Sequence, residues 1–297
     1  MKLLFDNDNF SVRFRDLTGY ADADIPFVKI KPSLESATYE IIELIGETSY
    51  DEVEALDNLE DEYYRLVARA VALKADIIYQ PTSNLARTKN GLKNRNDEHT
   101  STPWKWQVDD YQASLLQNYY RHLDVLLRYM IKNNKPINLK KYDTKDLFVK
   151  DIETFEQFFD INGSHYLYFK LLPALVECER KEIEPRVRTI TTLTDAMKFE
   201  IKAACVNYAM EWACKRLNFQ IFPTGILQVS TVAEGSNSKA SETQSYAGNA
   251  LTFRQDFDRY ILELEKLVNR ELSTDAVEVY IGVNQDKDFF DPDLCTT

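Results

Sequence analysis

A chain of 297 residues can bury a sizeable core, and its length alone points to about two domains. Hydrophobic content of 44% and charged content of 28% are ordinary for a soluble globular protein, and no apolar run approaches the roughly 18 residues of a membrane-spanning helix. The formal net charge of −12 is opposite to the basic surface with which generic nucleic-acid binders neutralise phosphates.

Met1-Lys-Leu-Leu-Phe5 gives way at once to Asp6, Asn7 and Asp8, so no signal peptide is expected, and residues 1–5 read as a short strand. With 8 glycines against 16 Phe and 17 Tyr, a helix-rich protein with aromatic packing is expected. Cys178, Cys205, Cys214 and Cys295 form no C-x-x-C pair. They read as free thiols in a reducing compartment, three of them at helical core positions.

The chain contains its own pattern twice. Phe27-Val-Lys-Ile-Lys-Pro-Ser-Leu34 returns as Tyr168-Phe-Lys-Leu-Leu-Pro-Ala-Leu175, with Lys29, Pro32 and Leu34 recurring as Lys170, Pro173 and Leu175. Both prolines stand where an apolar run meets a helical pattern, so each is expected to open a helix, where its missing N–H has no partner to lose. Upstream, Phe14-Arg-Asp-Leu-Thr-Gly19 is matched by Phe158-Phe-Asp-Ile-Asn-Gly163, and Phe10 by Phe155.

Three helices are expected per copy. The first spans 32–45, with Leu34, Ala37, Ile41 and Leu44 or Ile45 on one face and Gly46 as its stop. In the second copy it starts at Pro173, carries Leu175, Cys178 and Ile183, and is limited by Pro185. The second helix spans 62–79 on Tyr63, Leu66, Val67, Ala70 and Ile77. Its counterpart spans 195–217 on Met197, Ile201, Ala204, Cys205, Tyr208 and Trp212, with Thr194 as N-cap. The third spans 106–130 and 251–272, where Tyr119, Leu123 and Leu126 match Tyr260, Leu264 and Leu267.

Between the second and third helices each copy has a proline and a long polar stretch, 80–103 and 222–249. Pro81, Thr82 and Leu85 correspond there to Pro223, Thr224 and Leu227. Loops this long are usually functional or disordered, and two at equivalent places favour function. The candidate partner-binding residues are Pro81, Thr82, Leu85, Arg87, Lys89, Lys93 and Arg95 in the first, with Pro223, Thr224 and Leu227 in the second. The Pro103-Trp104-Lys105-Trp106 cluster reads first as a hydrophobic staple or wedge, and Trp104 also as a partner platform.

Residues 134–150, lysine-rich and containing Pro136, read as a solvated linker with one short strand. They divide repeat one (1–133) from repeat two (151–275). Beyond these, 277–283 alternates like a strand, and an acidic tail follows with Phe289 and Phe290 as docking residues. His99, His122 and His165 complete no Glu-x-x-His or His-Glu-x-x-His element, and no glycine-rich phosphate loop or Gly-x-Ser-x-Gly elbow is present. No catalytic, metal-ligating or cofactor-binding residue is assigned, and His122 reads as a packed or interfacial side chain.

The repeated unit resembles the head–tail connector (head-completion, or adaptor) proteins of tailed bacteriophages. The resemblance rests on the helix from Lys31-Pro-Ser-Leu-Glu-Ser-Ala, the Ala-rich helix ending in Ile77-Ile-Tyr-Gln-Pro81, the polar loop and the third helix to Met130. It covers each half, so the chain resembles a tandem-duplicated form, of the type of phages and prophages of Bacteroidetes. This implies a mainly α fold, two tandem copies of a small helical-bundle connector domain, with short β segments near the termini and linker.

The resemblance further implies a non-enzymatic homo-oligomeric ring beneath the portal protein, extending the DNA channel and carrying the next neck or tail protein. A dodecameric ring of paired units and a ring of half as many subunits both fit. Double-stranded DNA would pass without specific binding along an acidic lumen, with no cofactor and no membrane. The implied location is the virion, after synthesis in the host cytoplasm. Competing readings are a bacterial helical scaffold, a nucleic-acid-handling module using the lysine linker and Trp104, and a helical-bundle enzyme.

Overall fold

The computed structural model describes residues 3–19, 25–83, 85–88, 91–94, 104–218, 221–223 and 238–273. The matched glycines Gly19 and Gly163 both adopt positive φ, 77° and 65°, a conformation that costs glycine least. Each follows a short helix and precedes the first long helix of its repeat. Repeat one comprises α1 (Phe10–Thr18), α2 (Phe27–Ile45), α3 (Glu47–Leu56), α4 (Glu62–Ser83), the strands β1 (Leu85–Thr88) and β2 (Gly91–Asn94), and α5 (Lys105–Lys132). Repeat two comprises α6 (Ile152–Glu156), α7 (His165–Cys178), a π turn (Glu179–Ile183), α8 (Glu184–Val187), α9 (Asp195–Arg216) and α10 (Ser238–Leu272). The fold is mainly α, in two tandem helical domains.

Each repeat has its own core. In the first, Ile30, Leu34, Ala37 and Ile41 of α2 face the alanine-rich side of α4 (Ala68, Ala70, Ala72, Ala75). The small side chains let the backbones approach, and Leu123, Leu126 and Met130 of α5 pack against the same cluster. Arg13 ties the lead-in to this body, donating to the Asp57 carboxylate at 2.8 Å, while the Tyr64 hydroxyl donates to the Leu4 carbonyl at 3.1 Å. In the second, Leu171, Leu172 and Leu175 of α7 meet Ile201, Ala204 and Cys205 of α9, with Phe257, Leu264 and Val268 of α10. Each such side chain, fully buried, contributes about 1.5–3 kcal/mol of transfer free energy. Thr194 caps α9 as expected, accepting from the Met197 N–H at 3.2 Å, and Gly46 ends α2 at φ 91°.

The prolines are placed differently from the expectation. Pro32, Pro81 and Pro173 all lie inside helices, not at their boundaries. Pro26 is the extended residue before α2, and Ser164 caps α7, its hydroxyl accepting from the Leu167 N–H at 3.2 Å. Pro32 cannot donate to the Val28 carbonyl, but both residues are exposed, so solvent can take that place. Pro185 does not stop its helix either. The preceding π turn widens the backbone ahead of the proline, and the helix runs on to Val187.

Three further expectations are corrected. The helix α10 opens at Ser238 and not at 251, because a proline-free polar stretch extends it without any apolar stripe to announce it. The linker has turns and no strand among its residues, and it is packed: Leu139 and Val149 are buried. Residues 3–5 form no strand. The described β structure is the β1–β2 hairpin, inside the first long connection. The segment 277–283 lies outside the described residues.

The linker is held from both sides. The Leu139 N–H donates to the Leu44 carbonyl at 2.9 Å and the Ser49 hydroxyl to the Pro136 carbonyl at 3.2 Å. At its far end the Phe148 N–H donates to the Glu179 carboxylate at 2.7 Å, and the Tyr168 hydroxyl to the Val149 carbonyl at 3.0 Å. The repeats also meet directly, α5 against α7.

Candidate interaction surface

Helices α4 and α5 run antiparallel. The Tyr63 and Tyr129 rings stack with centroids 5.5 Å apart, His122 Nε2 lies 2.7 Å from the Leu66 carbonyl, and the Lys74 ammonium sits 5.5 Å from the Tyr119 ring. Since a carbonyl only accepts, Nε2 carries the proton in that contact. Burial lowers the imidazole to about 4, so His122 is a neutral packed residue. The antiparallel pairing brings the C-terminal end of α4 and the N-terminal end of α5 to one end of the repeat.

That end carries the hairpin. Its register pairs Leu85 with Asn94, Ala86 with Lys93, Arg87 with Leu92 and Thr88 with Gly91. Among the described elements its substantial neighbour is α4, which it continues. Reading the stretch as a polar loop missed these strands. Beside the hairpin in topology, Trp104 and Trp106 open α5 with exposures of 73% and 62%. The Trp104 backbone N–H is satisfied by the Gln107 side chain at 2.9 Å, and both indoles face solvent.

The structure therefore gathers the first group of candidates. Pro81 is exposed in the last turn of α4 and Thr82 follows it on the same helix; Leu85 and Arg87 lie on β1, Lys93 on β2, and Trp104 at the start of α5. Lys89, Arg95, Thr224, Leu227, Phe289 and Phe290 lie outside the described residues. Pro223 is not the structural equivalent of Pro81. It lies beyond the end of α9, where with Ile221 and Phe222 it lines a cavity of about 290 Å³ against Tyr120, Arg121 and Asp124 in the middle of α5. The described start of the second connection thus packs on the first repeat.

Two half-buried carboxylates hold the junction, and neither stands out in the sequence among 48 acidic residues. Asp124 accepts the Tyr166 N–H at 2.8 Å and the Ser164 hydroxyl at 3.2 Å, and burial raises its carboxyl to about 6. Glu179 is raised to about 7 by burial, against the backbone donors of Phe148 and Val149. Cys178 and Cys205 are buried on α7 and α9, as expected. The Cys205 thiol is pushed up by the adjoining Cys178 and by burial, and burial lifts Cys214 to about 11, so these are unreactive core thiols. Among the described residues no group of three or more His, Cys, Asp or Glu is placed to hold a metal ion, and no helix is long and apolar enough to cross a membrane.

No curated protein and no solved structure matches the chain. One family model does, over residues 30–144 and 180–274, one stretch in each half and together well over half of the sequence. The two stretches take in α2 to α5 of the first repeat and the π turn to α10 of the second. The chain belongs to that family, a family of unknown function (DUF6712), whose model it matches in two tandem regions.

Proposed function

We propose that this chain is a structural protein of a phage neck, forming a connector ring between portal and tail that extends the DNA channel. The observation that carries the reading is the pairing of a duplicated helical scaffold with a hairpin arm set at one end of the α4–α5 helix pair. A mechanical part needs stiffness in the body and reach at its contacts. The two cores supply the first, while the arm and the exposed Trp104 and Trp106 supply surface for a neighbour.

The net charge of −12 supports the channel role, because an acidic lumen repels phosphate and lets DNA slide. The reading is non-enzymatic. Its buried polar groups support that role: His122, Asp124 and Glu179 are all spent on backbone partners within the scaffold.

Deleting residues 84–98 tests it. The shortened chain is expected to keep its helical circular dichroism and to lose co-migration with the portal protein. Undiminished portal binding by the deleted chain would remove the arm from the docking role.

A further inference from the structure

The hairpin is a two-stranded sheet, and no third strand pairs with it among the described residues. Both strands therefore present edge N–H and C=O groups, the arrangement that takes up another chain. Isolated hairpins are marginal in water, so a hairpin projecting from a helix end gains most when a neighbour covers it. Its charge identifies the neighbour. The two strands contain Arg87 and Lys93 and no acidic residue, in a chain whose net charge is −12.

The opposite charge sits at the other end of the same helix. Residues 47–62 hold Glu47, Asp51, Glu52, Glu54, Asp57, Glu60, Asp61 and Glu62, with no lysine or arginine; Arg13 pairs with Asp57 and Lys135 with Glu52, and the end stays acidic on balance. They form α3 and the turn into α4, and most are exposed. With 22 residues, α4 separates the two charged ends by about 33 Å. A basic edge and an acidic end that far apart on one rigid rod cannot satisfy each other within one molecule.

We infer that the β1–β2 arm docks on the acidic α3 and α3–α4 turn of a second copy of this chain, in a head-to-tail contact. Such a contact is heterologous, so it propagates and closes into a ring when its rotation allows. The inference deepens the ring reading by naming its subunit contact, and rests on that reading for closure. Charge gives the pairing its direction and on-rate, while the sheet edge and neighbouring indoles supply contact area.

Charge-swap complementation tests it, by sedimentation velocity at low salt together with negative-stain images. One variant carries Arg87→Glu with Lys93→Glu, a second carries Asp51→Lys with Glu60→Lys, and a third carries all four. Circular dichroism checks that each folds. The wild-type chain should self-associate in a salt-sensitive way, and each two-site variant alone should associate at least about tenfold more weakly. Mixing the two variants, or joining all four changes in one chain, should restore assembly. Two-site variants that assemble like wild type, or that fail to recover on mixing, overturn the contact. If those unaffected assemblies are closed rings, the ring reading survives without it. Reversal-sensitive open arrays would keep the contact and sink the ring; a wild-type chain that stays monomeric throughout sinks both.

Discussion

The carboxylate of Asp124, in the middle of α5, accepts the backbone N–H of Tyr166 in the first turn of α7, at 2.8 Å. One repeat thereby caps a helix of the other, alongside the helix's own cap Ser164, whose hydroxyl reaches the same carboxylate oxygen. A helix N-terminus exposes unpaired donors and partial positive charge, so a carboxylate there serves both needs. Asp124→Ala is expected to lower stability by about 1–2 kcal/mol in urea denaturation, and Asp124→Asn by less, because the amide oxygen still accepts.

The junction should also respond to pH. Burial raises Glu179 from 4.5 to about 7, so its folded state holds a proton that the unfolded chain has lost. That contribution is fully present below pH 4.5 and disappears as pH rises through about 7, and solvent screening of the half-buried group holds it to about 1–2 kcal/mol. Asp124 acts in the same direction through about 6. His122 opposes both: held near 4, it contributes stability above about 6.5 that is lost as pH falls toward 4. Glu179→Gln is expected to flatten the loss of stability between pH 5 and pH 7.5, measured by denaturation across that range.

The matched glycines separate two effects. An alanine at Gly19 meets nothing within 4 Å, so Gly19→Ala pays only for the positive φ, about 1 kcal/mol. At Gly163 the added Cβ would also come within 3.2 Å of the Arg128 guanidinium, which reaches the Gly163 carbonyl. Gly163→Ala should therefore destabilise more than Gly19→Ala in thermal melts, and Arg128→Ala in the same chain should narrow the gap.

Core and arm should be separable by mutation. Leu126 is fully buried, and Leu126→Ala should cost about 2–5 kcal/mol through lost transfer energy and the cavity left behind. Trp104 is exposed, and Trp104→Ala should change stability by less than about 0.5 kcal/mol while weakening assembly. A large stability loss on Trp104→Ala would mean that the indole is structural after all.

The sequence made the duplication and the order of helices legible because apolar periodicity and landmark glycines survive divergence. Tyr63, Val67 and Ala70 face the core of the first repeat, as Met197, Ile201 and Cys205 face that of the second. Proline misled the boundaries. Read alone it marks a helix boundary, yet Pro32 and Pro81 face solvent, where a missing hydrogen bond is cheap. The opening of α10 was invisible because a polar helix has no apolar stripe to show. Asp124 and Glu179 were illegible for a different reason: what makes them special is burial against distant backbone, which local sequence does not encode. Of the candidate residues, Arg87 and Lys93 lie on the hairpin and Trp104 at the start of α5, an arrangement that a polar loop did not announce.

The most direct test of the connector reading is negative-stain electron microscopy of the purified full chain at low salt. Closed rings of uniform diameter with a central opening wide enough for a DNA duplex are the expected result. A homogeneous field of single particles the size of one chain, at every concentration, would contradict it.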